Sequence, residues 1–260
     1  MSKAGDMQYR LGRNPSIPDP RTLKFGDYLI PSQLPSAPSF AGYFTEVWQW
    51  PMFGNDQYGD CTFAALAHQM NAWTKYATGV ERGPLIDDVL KAYFALSPND
   101  TGADMLSTLK YTAKTGIGEG NKIAAYVQLD LANHAQLETA IYLFGNVYLG
   151  LALPDAIVND ADPLTIPWIV PTEGAVGEWA PNPNNGHAIA AVGYGVGASY
   201  LDIVTWGKRI GMGWSAYCDY VDEAYALVST QWIAKAGNSP SGFDLAQLLL
   251  DRAALSKLPA

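Results

Sequence analysis

Residues 54–68 read GNDQYGDCTFAALAH, and the fold turns on how this stretch is read. A turn bounded by Gly54 and Gly59 runs into an apolar helix, expected from about Cys61 to Ala77, with Asp60 as N-cap and Gly79 as the stop. Ala64, Ala65, Leu66, Ala67, Trp73 and Tyr76 leave that helix almost without charge, so it is expected to be buried around much of its girth. Cys61 therefore stands in the first turn of a buried helix. Unpaired N–H groups and the positive end of the helix dipole there favour a thiolate, and can hold an oxyanion formed beside it. Placement alone does not make a nucleophile, because free cysteines are commonly buried and inert.

A second stretch supplies a base. Residues 186–195, GHAIAAVGYG, read as a strand entered through the flexible NPNNG, and His187 opens it. A histidine fixed at a strand edge can face a thiol borne on a helix and take its proton. His68 shares a helix face with Cys61 but lies about 10 Å further along the axis, too far to serve, and reads as a core residue. His134 reads as a surface residue beside a helix cap, and Cys218 in WSAYCDYVDEAY as a buried structural thiol.

Outward from these two stretches the chain changes texture. Residues 1–50 carry Pro15, Pro18, Pro20, Pro31, Pro35 and Pro38 and keep no helical period, which predicts an extended arm laid over a surface, or holding a protein partner. Residues 84–96 and 103–115 are amphipathic helices separated by Thr101-Gly102, and a further helix starts at Asn133, with Gln136 in the capping-box position. VYLGLAL, HAIAAVGYG, YLDIVTWG and YALVS are strand-like, and a terminal helix is expected from Phe243 to about Ser256. The organisation expected is an arm (1–50), a helical lobe (51–145), a β-rich lobe (146–235) and a C-terminal helix (236–260), hence α+β. The long loop at 154–185, with Trp168 and Trp179, is a candidate wall for a cleft between the lobes.

Composition narrows the function. Hydrophobic residues at 48% and charged ones at 16% describe a globular chain, and a net charge of −9 argues against nucleic acid or an anionic membrane as partner. The N-terminus lacks the apolar core of a signal peptide and no segment is long and apolar enough to span a membrane. With only two cysteines, a chain made in a reducing cytoplasm is expected. Scattered histidines and two cysteines predict no metal and no cofactor.

Four segments together carry a resemblance. GNDQYGDCTFAALAH resembles the nucleophile segment of the papain-like cysteine peptidases. YFALSPNDTGADMLSTLKYTAKTGI is similar to the stretch in which a tyrosine-rich helix precedes a glycine turn and a second helix. NGHAIAAVGYG resembles the histidine strand, and YLDIVTWGKRIGMGW the Asn-Ser-Trp-Gly strand with its glycine-rich turn. They occur in the family's order across roughly residues 50–232. The resemblance implies a two-lobe fold, the helical lobe carrying Cys61 as nucleophile and an antiparallel β lobe carrying His187 as base. It further implies Trp206 as an aromatic shield, an amide near Gln57 or Asn55 for the oxyanion, and a peptide or protein substrate.

Three positions depart from that pattern. The orienting asparagine is replaced by Val204, which cannot hydrogen-bond, although Thr205 and Asp202 are close by. The oxyanion glutamine position holds Asn55, with Gln57 two residues nearer the cysteine. Asp60 places a carboxylate directly before Cys61, and its charge opposes a thiolate. Two readings follow: a slow or specialised cysteine peptidase, or a binding or structural protein on the same fold. The GNDQYGDC and VTWG patterns resemble those of bacterial and phage chains, so the second reading includes a virion or assembly component. The arm occupies the position of a prosegment but lacks an inhibitory prosegment's helical pattern, and zymogen processing is not expected.

Overall fold

The computed structural model describes residues 9–195, 200–232 and 242–255. Helix α1 spans Cys61–Thr78 and ends as the sequence predicts, with Gly79 left-handed at φ 77°. The amphipathic stretches become α2 (Ile86–Leu96) and α3 (Met105–Lys114). In α4 (His134–Phe144) the Asn133 side chain accepts the Gln136 N–H at 3.0 Å. The terminal segment forms α7 (Leu245–Leu255).

The strands are β1 (Ala41–Gly42), β2 (Ile123–Gln128), β3 (Val147–Ala152), β4 (Gly186–Tyr194), β5 (Tyr200–Thr205), β6 (Lys208–Gly213) and β7 (Val221–Ser229). They form one antiparallel sheet in the order β2-β7-β3-β4-β5-β6, and β1 pairs with the far end of β4. Every residue of β3 and β4 is buried, which explains their continuous apolar text. One sheet face, through Tyr148, Ala188, Tyr225 and Leu227, packs against Phe63, Leu66, Val89 and Leu109 of α1, α2 and α3. The other, through Leu149, Ile189, Ala224 and Ala226, packs against Leu137 and Ile141 of α4 and Leu248 of α7.

Several elements differ from the sequence reading. β2 lies in the stretch assigned to the helical lobe, yet it pairs with β7. IAAYVQ holds two alanines and one face is only half-buried, so it carries little strand signal. GKRIGMGW, read as a turn, is β6, and it leads into the short helix α6 (Trp214–Tyr220). α5 (Asp155–Val158) interrupts the loop at 154–185. Phe25 and Tyr28 of the arm are core residues, packed on Phe144 and Phe243. Among the described residues no helix is long and apolar enough to cross a membrane.

Candidate active site

Cys61 reaches the site because α1 begins there. Phe63 and Ala64 N–H groups close on the Asp60 carbonyl, leaving the Thr62 N–H free to meet the Cys61 sulfur, which also takes the N–H of Ala188. Ala188 is the neighbour of His187, so helix start and strand start converge on one point. The turn before Cys61 is pinned by Asp100, whose Oδ1 accepts the Gly59 N–H at 2.9 Å and the Tyr93 hydroxyl at 2.6 Å. Asp60 occupies the N-cap position but its carboxylate makes no cap hydrogen bond, contrary to the sequence expectation. Its side chain is buried instead, with neither oxygen hydrogen-bonded among the described residues, and burial pushes its pKa to about 8. The carboxyl is thus mostly uncharged at neutral pH, and opposes a thiolate less than the sequence implied.

The His187 ring is held on two sides. Its Nε2 lies 2.7 Å from Thr205 Oγ1, and its face stacks on Trp206 with centroids 4.3 Å apart and planes 24° from parallel. The position read as the missing orienting asparagine, Val204, pairs across from Ala190 and packs with Ala190 and Val192, on the face opposite His187. One residue along a strand reverses the face, so Thr205 meets the imidazole. Trp206 and Gly207 form a two-residue hairpin turn with φ 42° and 72°, the primed geometry that joins β5 to β6. A tryptophan with positive φ is strained, and the turn sets its indole against the histidine, where the stacking and the ring N–H bond to Arg10 offset that strain. Nδ1 of His187 is buried without a hydrogen-bond partner among the described residues.

The groove over this pair is filled by residues 9–14. Gly12 and Arg13 N–H groups donate to the Gly186 carbonyl at 3.2 and 3.0 Å, Ala103 N–H donates to Gly12 and Asn14 N–H to Ala103. Arg10 N–H donates to Asn55, and the Trp206 indole N–H donates to the Arg10 carbonyl at 2.8 Å. The backbones approach so closely that a Cβ on Gly12 would lie 1.9 Å from the Gly59 oxygen. Cys61 and His187 are each 1% exposed in consequence. Burial lifts the thiol pKa to about 12 and depresses the imidazole to about 3, with the positive charge of Arg13 adding to the latter. The resting pair is neutral.

The remaining predicted residues are dispersed around this centre. Asn55 is buried and its Nδ2 donates to the Tyr58 carbonyl at 3.1 Å, while Gln57 is exposed. Trp168 lies behind the indole of Trp206, centroids 5.9 Å apart, with its own N–H on the Pro163 carbonyl. Trp179 is half-buried and shares a side recess with Trp168, Ile157 and Pro163. His68 is buried, with Nε2 2.7 Å from the Pro51 carbonyl. Cys218 is exposed rather than buried, because α6 turns Ala216, Tyr217 and Tyr220 inward, and its sulfur lies 3.4 Å from His134 Nε2. Two residues that the sequence reading passed over matter here: Arg13, and Glu223, an acid on the inward-facing register of an apolar strand.

A helix start presenting a cysteine to a histidine on an antiparallel sheet, with an aromatic on the histidine's face, defines the papain-like cysteine-protease fold, and the chain has it. Similar solved structures include xylellain, a cysteine protease from Xylella fastidiosa (TM-score 0.65, 15% identity, 88% of this chain and 100% of that one). Digestive procathepsin L 3 of the Tenebrio molitor larval midgut is also similar (0.55, 11%, 86% and 77%), as is a recombinant stem bromelain precursor (0.53, 14%, 86% and 78%). No family model matches the chain, and comparison with curated proteins gives no match.

Proposed function

We propose that the chain is a cysteine peptidase whose cleft is closed by its own residues 9–14. The observation that carries this reading is the His187 ring, tied at Nε2, stacked on Trp206 and left with an unpartnered Nδ1, on the strand start whose next residue, Ala188, packs in one cluster with Cys61. A neutral imidazole has one donor and one acceptor nitrogen. With Nε2–H donating to Thr205, Nδ1 carries the lone pair that a general base requires. In the open cleft Nδ1 takes the Cys61 proton and the thiolate attacks an amide carbonyl. The Cys61 N–H and the amide of Gln57 or Asn55 hold the oxyanion, His187 protonates the leaving amine, and water releases the acyl group. Gln57 is the freer donor, since the Asn55 amide already serves Tyr58.

The closed groove also favours a second reading, a binding or structural protein that keeps the fold without the chemistry. A full-length Gly12→Val chain separates the two, because the added side chain collides with Gly59 and lifts the arm. Treated with iodoacetamide at neutral pH and mapped by peptide mass to distinguish the exposed Cys218, the peptidase labels at Cys61 roughly tenfold faster than a free thiol. Adding His187→Ala removes that gain. Labelling of Cys61 no faster than a free thiol leaves the second reading standing.

A further inference from the structure

Arg13 is an unusual occupant. Its backbone lies beside the reacting pair, donating to the carbonyl of Gly186, the residue before His187. Its side chain leaves the groove for a recess between β3 and β7, where it is 3% exposed. Nη2 donates to Asp222 at 2.6 Å and to the Leu151 carbonyl at 3.0 Å, and Nη1 to Glu223 at 3.3 Å. Glu223 is 1% exposed at the base, and its second oxygen accepts the Tyr225 hydroxyl at 2.6 Å, which fixes the carboxylate's orientation. Asp222, 46% exposed, stands at the mouth. Gly150 forms one wall. A Cβ there would come within 3.1 Å of Arg13 Cδ and Nη1 and within 2.5 Å of Met105 Sδ, so its missing side chain is what makes room.

We propose that this recess is a specificity pocket, and that the peptidase acts on peptides or proteins carrying arginine within one or two residues of the scissile bond. The inference rests on the peptidase reading for the word substrate, but the pocket stands on its own contacts. An apolar side chain seated here strands Glu223 as a buried, unpaired carboxylate, which the pocket therefore rejects. A guanidinium satisfies two carboxylates and a carbonyl at once from two nitrogens, whereas a lysine ammonium is a single point of charge. An internal latch has no need to lie one residue from the catalytic histidine. A pocket that reads the chain passing through the cleft does.

The test uses the full-length Gly12→Val, Cys61→Ala chain, whose cleft is vacated and cannot turn over. Capped YRLGRNPS, the sequence of residues 9–16, is titrated by calorimetry beside its analogues with leucine or lysine at the Arg13 position. The arginine peptide binds about tenfold or more tightly than the leucine peptide, with lysine between them. Glu223→Gln brings the ratio to within about twofold. Asp222→Asn, at the exposed mouth, narrows the ratio severalfold. Equal binding of arginine and leucine peptides overturns the proposal, as does a ratio indifferent to both substitutions. Fluorogenic peptides with the same residues, given to Gly12→Val with Cys61 intact, separate the two claims. Hydrolysis without arginine preference removes the pocket and keeps the peptidase. Arginine-selective binding without hydrolysis keeps the pocket and removes the peptidase.

Discussion

Replacing Thr205 by valine removes one hydroxyl and leaves the β-branched shape of the strand intact. That hydroxyl is the partner of His187 Nε2 at 2.7 Å, and both residues are 1% exposed, so water cannot take its place. A buried ring N–H left unsatisfied costs about 1–3 kcal/mol, and in a chain of this size lowers Tm by about 3–10 °C. The chemical consequence is larger. The hydrogen bond anchors the ring at Nε2 and, with Nε2–H donating to the hydroxyl, leaves the lone pair on Nδ1, while stacking on Trp206 fixes the plane of the ring. In the arm-released Gly12→Val background, iodoacetamide labelling of Cys61 falls about tenfold to a hundredfold with Thr205→Val, and Thr205→Ser restores it. A Thr205→Val chain that labels at the parent rate and melts at the parent temperature refutes the reasoning, since the hydroxyl would then neither hold nor orient the ring.

Other consequences follow from the same site. Asp60 has a folded pKa of about 8, raised above the ordinary carboxyl value, so its protonated form fits the fold. Its contribution is fully present below about pH 4 and is lost as pH rises toward and through 8, and Asp60→Asn flattens the fall in denaturant midpoint seen over that range. In the native chain, with the thiol near 12 and the imidazole near 3, alkylation of Cys61 stays slow at pH 7 and climbs only above about pH 10. The Gly12→Val chain labels several units lower. Arg13→Ala leaves Glu223 buried without its cation and destabilises the fold by about 3–5 kcal/mol at neutral pH, less under acid as the carboxyl protonates. The Arg13→Ala, Glu223→Gln double variant recovers most of the loss in a urea midpoint measurement.

The elements that the sequence made legible are those whose local chemistry and tertiary role agree. α1 reads from its apolar composition and its glycine stop, and β3 and β4 read as continuous apolar runs because both faces are covered. β2 was opaque since two alanines and a half-exposed face give a strand no periodic mark. β6 was opaque since glycines that read as a turn instead allow Pro167 and Ile169 to pack close over Gly211 and Gly213. At the site, Cys61 and His187 were legible from helix start and strand start, and Trp206 only from the resemblance carried by YLDIVTWG. The orienting group was placed one residue early, at Val204, because matching a motif counts positions whereas the pleat decides faces. Arg13 could not be found from local text, as its meaning lies in contacts with residues more than 130 positions away. Glu223 left a fainter mark, an acid on the buried register of VDEAYALVS.

Closure of the groove and reactivity of the thiol are two sides of one equilibrium. The seated arm excludes water from Cys61 and His187, and exclusion is the largest cause of both pKa displacements, upward for the thiol and downward for the imidazole. Arg13 deepens the second by setting a positive charge near the ring. Each displacement disfavours the thiolate–imidazolium pair, so the charged pair and the seated arm oppose one another, and the opposition is reciprocal. Whatever stabilises the charged pair weakens the arm's hold by the same free energy. Whatever captures Arg13's pocket, a second guanidinium above all, frees the cleft and returns the pair to water. An arginine-bearing peptide therefore both displaces the arm and presents itself to the thiol it has uncovered.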